Sequence, residues 1–84
     1  MTKTAAMEYS SQGIRINAVG SGFIDTPLLD QLDDEIKKHL VSLHPIGRLG
    51  RSNEVAELIL WLGSDKASFA TGSYYPIDGG YLAR

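Results

Sequence analysis

The densest chemical signal in the chain is the run Gly20-Ser21-Gly22-Phe23-Ile24-Asp25-Thr26. Glycines remove side chains and let backbone amides approach a ligand closely. Thr26 adds a hydroxyl, and Pro27 behind it reads as the first position of a helix, whose N-terminus favours anions. A G-x-G after a strand opens a dinucleotide fingerprint, but the third glycine is missing. The plain alternative is a strand-ending turn with Thr26 as a helix cap. The other reactive side chains read more simply. Ser21 has no readable His/Asp constellation and is a turn serine. His39 and His44 share no helical face and have no Cys partner, so they read as solvated or capping residues, with no metal site. Asp33-Asp34-Glu35 is a solvated helix start rather than an acid–base pair. Arg48 and Arg51 flank glycines and anchor a loop. Tyr74, Tyr75 and Tyr81 fit an edge strand packing against a partner. Asp78-Gly79-Gly80 is a turn whose carboxylate takes nearby amides.

These residues need elements to hold them. Thr2 to Gln12 is rich in helix formers and ends at Gly13. Ile14, Ile16 and Ala18 alternate with Arg15, Asn17 and Val19, the period of a strand over 14–19. Leu29, Leu32, Ile36, Leu40 and Leu43 recur at helical spacing, with acids early, Lys37, Lys38 and His39 late, and a possible break near Asp33. Asp33–Lys37 and Asp34–Lys38 are spaced as i,i+4 ion pairs. A loop over 45–51 follows, and Ser52 is placed to cap a second helix. That helix, Glu54 to Gly63, is apolar nearly all round, so it should be covered on two sides. Ser73 to Asp78 reads as an edge strand, because Pro76 cannot donate to a ladder. Two strands joined by a long helical connection make a parallel, right-handed crossover. The fold class is thus α/β, with ligands expected at the carboxyl ends of the strands, which selects the Gly20–Thr26 loop.

Several segments, in this order and spacing, resemble the later part of a short-chain dehydrogenase/reductase. They are Lys3-Thr4-Ala5-Ala6-Met7-Glu8-Tyr9, Gly13-Ile14-Arg15-Ile16-Asn17-Ala18-Val19 and Ser21-Gly22-Phe23-Ile24-Asp25-Thr26-Pro27. They continue with Pro45-Ile46-Gly47-Arg48-Leu49-Gly50-Arg51 before Glu54-Val55-Ala56, and with Thr71-Gly72 before Ile77-Asp78-Gly79-Gly80. The resemblance spans residues 1–84 as one incomplete domain. It implies the C-terminal β-α-β part of a Rossmann-type sheet, two parallel strands with flanking helices. It also implies an NAD- or NADP-dependent oxidoreductase acting on an alcohol/carbonyl pair. The backbone of Ile24 and the hydroxyl of Thr26 would hold the nicotinamide carboxamide, and Gly22 would permit the close turn. Phe23, Leu28 and Leu29 would belong to a substrate lid extending over 27–45. Where this chain has Ser21-Gly22, the family usually has Pro-Gly. The chain contains no Tyr-x-x-x-Lys; that pair, the glycine-rich cofactor loop and the catalytic serine would lie upstream of Met1. The expectation is therefore no catalytic residue here, no cofactor bound by the chain alone and no activity alone. The remaining N-terminal part of the enzyme is the expected partner, together with a second copy packed through the Glu54–Gly63 helix and the Ser73–Asp78 strand. The alternative is a non-catalytic assembly module derived from the family.

Composition bounds the rest. Eight basic against ten acidic residues leave a net charge of −2 and no nucleic-acid footprint. No apolar run is long enough for a membrane span or a signal peptide, and there is no cysteine, so a cytoplasmic protein is expected. Hydrophobic residues make up 43% of the chain, which suits a folded protein. A chain of this size buries only roughly 60% of its unfolded surface. Further protein packed against it is the physical expectation.

Overall fold

A computed structural model describes residues Met1–Arg84. Helix α1 (Thr2–Tyr9) tightens into a 3-10 turn over Ser10–Gln12, and Gly13 ends it at φ 78°. Strand β1 (Ala18–Ser21) follows. A 3-10 turn (Leu29–Gln31) leads into α2 (Asp34–Ser42), and then come α3 (Ser52–Leu62), a 3-10 turn (Asp65–Ala67) and strand β2 (Tyr74–Ile77). A last 3-10 turn covers Tyr81–Ala83. The strands pair in parallel, Ala18 with Tyr74 through Ser21 with Ile77, so the expected α/β crossover is present. Ladder bonds alternate along the strands, from Ala18 N–H to Ser73 C=O at one end to Gly22 N–H to Ile77 C=O at the other. Pro76 therefore presents its imide nitrogen to the outer side of β2, where no donor is needed.

The strand expected over 14–19 is shifted towards the C-terminus. Residues 14–17 precede β1, while Gly20 and Ser21 lie inside it. The alternating polar side chains that suggested a strand have another task. The Arg15 guanidinium donates to the carbonyls of Leu62 (2.8 Å), Ser64 (3.1 Å) and Ala70 (3.2 Å), closing the C-terminal end of α3. Asn17 donates to Ala70 C=O and accepts from Ser73 N–H, and Ile16 N–H donates to the Thr71 hydroxyl. These bonds hold the approach to β1 against the approach to β2.

Two helix starts also differ from expectation. Thr26 does not cap a helix; its carbonyl accepts from Leu29 and Asp30 in a turn. The helix breaks near Asp33, as the sequence allowed, and Asp33 caps α2 by accepting from Ile36 N–H at 2.9 Å. With Asp33 so engaged, Lys37 pairs instead with Asp30 (2.6 Å) and Asp25 (3.8 Å). At α3 the cap position is Arg51, not Ser52. The Arg51 N–H donates to the Glu54 carboxylate, and the Glu54 N–H donates to the Arg51 carbonyl.

The interior is thin. Only Ala6, His44, Leu49, Leu62 and Ala67 are buried, and Ile59, Leu60 and Trp61 of α3 are exposed in the single chain. The radius of gyration is 15.6 Å, against about 12 Å for a compact chain of this length. The accessible surface is 6160 Å², where a compact monomer of this mass would show about 4,900 Å².

Candidate functional site

The site is built where β1 runs out. Gly22 continues the ladder by donating to Ile77 C=O. The chain then makes a single parallel bridge between Ile24 and Gly50, a contact the loop reading of 45–51 did not include. Gly50 N–H donates to Phe23 C=O at 3.0 Å, and Asp25 N–H donates to Gly50 C=O at 2.8 Å. In a parallel bridge those bonds use the peptides flanking Ile24, so the N–H and C=O of Ile24 itself face the opposite side. Neither has a hydrogen-bond partner within the chain, and neither does the Thr26 hydroxyl. One free donor, one free acceptor and one hydroxyl thus line up over three residues at the carboxyl end of a parallel strand. A primary carboxamide, itself a donor and an acceptor, is chemically complementary to that set.

Behind the loop stands His44. The residue is 3% exposed. Nε2 accepts from Phe23 N–H at 3.0 Å, and Nδ1 lies 2.8 Å from the Leu40 carbonyl. Both contacts are satisfied together only by the neutral tautomer protonated at Nδ1. His44 is thus a capping residue towards α2, as expected, but its second nitrogen grips the loop 21 residues away. The only sequence signal was its spacing from Leu40; the Phe23 contact is a property of the tertiary fold. Phe23 and Tyr81 pack around the imidazole, with ring centroids 5.9 Å and 5.5 Å from it. Tyr81, expected against a partner, is used inside the chain. Gly22 is required by close approach: a Cβ there would stand 2.6 Å from His44 Nε2 and 3.2 Å from Asp78 Cα.

Gly22, Phe23 and Ile24 line one small cavity of about 130 Å³ with His44, Arg48 and Glu54. Thr26, Leu28 and Leu29 do not reach it. Leu28 is exposed and Leu29 half-buried at the start of the segment leading to α2. The Asp78 turn is as expected, with its carboxylate accepting from Gly80 and Leu82 N–H. Asp33 acts as a cap, Ser21 closes β1, and His39 stands exposed on α2.

The charged residues hold the frame. Arg48 makes a two-pronged contact with Glu54, at 2.8 and 2.9 Å, which is the loop anchoring expected of it. That contact and the Arg51 N–H hold the Glu54 carboxyl down at about 2. A carboxyl lowered on folding contributes stability above its ordinary value near 4.5 and loses it as pH falls towards 2. Acidification from pH 5 to 2 should therefore release Arg48 and lower the protection of the Arg51 amide, measured against an unstructured peptide at the same pH. Glu54→Gln should show the lower protection already at pH 5; equal protection in both proteins throughout would refute this. The hydrogen bond that Lys37 donates to the Asp30 carboxylate keeps the lysine charged to higher pH than an ordinary one, tying α2 to the turn before it.

Two parallel strands joined by a helical crossover, with an unpaired peptide at the strand end, define part of an open, Rossmann-type α/β sheet. Comparison with known proteins narrows this. A family model described as "Enoyl-(Acyl carrier protein) reductase" matches residues 1–82. Cyclohexanol dehydrogenase of Acinetobacter sp. (strain SE19) is 50% identical over 84 residues, covering 100% of this chain and 32% of that protein. The 3-oxoacyl-(acyl-carrier-protein) reductase of Thermotoga maritima is 46% identical over 82 residues, 98% of this chain and 33% of that protein. The crystal structure of the corresponding reductase from Brucella melitensis superposes with a TM-score of 0.91 at 41% identity, covering 95% of this chain and 30% of that one. The chain belongs to the short-chain dehydrogenase/reductase family. It spans about a third of the length of the curated relatives it matches. No helix is long and apolar enough to cross a membrane.

Proposed function

We propose that these residues form the C-terminal part of a cytoplasmic NAD(P)-dependent oxidoreductase acting on an alcohol/carbonyl pair, and that the 84-residue polypeptide is silent by itself. The observation that carries this is the unpaired Ile24 peptide beside the free Thr26 hydroxyl. Ile24 N–H would donate to the carboxamide oxygen, and Ile24 C=O with Thr26 Oγ1 would accept from its NH₂ group. That fixes the plane of the nicotinamide, whose oxidised form takes hydride from the carbinol carbon. Phe23, Leu28 and Leu29 would cover the substrate and exclude water. The acid–base work requires a tyrosine and a lysine at the family's spacing, which these residues do not contain.

The excess surface of roughly 1,250 Å² over a compact monomer is more than one partner contributes to a standard interface. This favours completion by the catalytic part of such an enzyme. The decisive test is a hybrid in which these 84 residues replace the matching third of the Acinetobacter cyclohexanol dehydrogenase. The hybrid should fold, bind a nicotinamide cofactor and oxidise cyclohexanol. The polypeptide alone should turn over nothing in a panel of alcohols and carbonyls with NAD(H) and NADP(H). Turnover by the polypeptide alone, or a folded hybrid that binds neither cofactor, would overturn the proposal.

A second reading, a non-catalytic assembly module, is favoured by Ile59, Leu60 and Trp61 standing side by side and exposed on α3. Self-association through α3 and the Ser73–Asp78 strand belongs to both readings. Light scattering should find at least a dimer, and Trp61→Asp should reduce it to a monomer. An assembly unchanged by that substitution would remove α3 from the interface.

A further inference from the structure

We propose that His44 is a positioning residue whose neutral imidazole, accepting at Nε2, sets the Phe23 peptide and through it the Ile24 wall. The inference rests on the cofactor reading above for its consequence, though not for its geometry. Three observations carry it. The ring is buried and both nitrogens are used, Nε2 by a backbone donor and Nδ1 by a backbone acceptor. The ring spans two elements, α2 through Leu40 and the ligand loop through Phe23. And it is packed on several sides: Phe23 and Tyr81 stand against it, and the space a Cβ would need at Gly22 is filled by its Nε2 edge.

The consequence is a matter of donors and acceptors. A proton taken from solvent onto Nε2 converts the acceptor into a second N–H, now aimed at the Phe23 N–H. The loop peptide must then turn away. Phe23 C=O, which holds Gly50, belongs to the same residue, so the bridge that orients Ile24 loosens with it.

No charged side chain is placed to offset that event. From the C-terminal turn the ring faces Tyr81, whose own ring carries the Arg84 guanidinium at 4.6 Å. The Asp78 carboxylate is turned to the Gly80 and Leu82 amides. Across the cavity, Arg48 and Glu54 are engaged with each other, and Arg51 lines the same wall. From α2 the ring meets the Leu40 carbonyl.

The test uses the hybrid enzyme, labelled with ¹⁵N-histidine, and two variants, His44→Gln and His44→Leu. Long-range ¹H–¹⁵N correlations at pH 8, assigned by the signals lost in His44→Gln, should show a protonated Nδ1 and a bare Nε2. The dissociation constant of the reduced cofactor, read by fluorescence at pH 8, should rise about tenfold in His44→Leu relative to the parent hybrid, the size expected for one lost hydrogen bond. Leucine fills the space without an acceptor, whereas glutamine supplies one, so His44→Gln should bind close to the parent value. A proton on Nε2 at pH 8, or equal dissociation constants in all three proteins, would overturn the inference. A hybrid that binds no cofactor counts against the proposed function alone, because the tautomer and the Phe23 amide signal still decide the role of His44.

Discussion

Gly22→Val in the hybrid enzyme is expected to abolish measurable cofactor binding and to destabilise the fold by about 3 kcal/mol or more, at the upper end of overpacking costs. The first new carbon alone would stand 2.6 Å from His44 Nε2, 2.9 Å from its Cδ2 and 3.2 Å from Asp78 Cα. A flexible surface side chain would yield to such an intrusion. The imidazole cannot, because it is buried and bonded at both nitrogens. Asp78 Cα is backbone at the end of β2 and cannot yield cheaply either. The valine must therefore push the loop off the end of β1, taking Phe23 and Ile24 with it. A double-mutant cycle separates this from a general loss of stability. Gly22→Ala should cost about 1–2 kcal/mol less in a His44→Ala background than in the parent, because the atoms it strikes are gone. Equal costs in the two backgrounds would show that the collision with His44 is not what excludes a side chain here. Thermal melting gives the stability term and cofactor fluorescence the binding term.

The sequence made the β-α-β class legible, and the physical reasons are local. Pro76 marked β2 as an edge strand, Gly13 marked the end of the first helix, and the acid-to-base gradient marked the segment that holds α2. Boundaries failed where a side chain had a distant task. Arg15 and Asn17 mimicked the polar half of a strand, yet their partners lie 47 to 56 residues away. Thr26 and Ser52 are good cap residues by type, but Asp33 and Arg51 occupy the caps. Glu54 reaches back to Arg51 N–H, which removes the need for a hydroxyl at that position. His44 was legible as a capping histidine because Leu40 is four residues away, whereas its grip on Phe23 depends on how the loop folds over α2. The open peptide of Ile24 follows from the bridge to Gly50, a pairing of two isolated residues that no periodicity announces.

Arg15→Met should be the most damaging substitution outside the ligand loop, costing about 3 kcal/mol of stability in the hybrid while leaving the Ile24–Gly50 bridge in place. The guanidinium joins the carbonyls of Leu62, Ser64 and Ala70; Leu62 has no other donor, while Ser64 also accepts from Ala67 N–H and Ala70 from Asn17. Leu62 is the last residue of α3, and helix C-termini leave carbonyls without partners inside the helix. A cation at that end also opposes the helix dipole. Hydrogen bonds to a charged group contribute about 1.5–3 kcal/mol, and the three share one side chain, so their loss is not additive. Methionine preserves much of the stem's packing and removes the donors, which isolates the polar term. Arg15→Lys supplies a point charge without the planar fork and should recover less than half of the loss. The signature is spatial. Amide exchange should accelerate from Leu58 to Ala70, while the Asp25 and Gly50 amides of the Ile24–Gly50 bridge keep their protection. Uniform acceleration across the chain would mean that Arg15 supports the whole domain rather than the end of α3. Unchanged melting would mean that those carbonyls are satisfied by water.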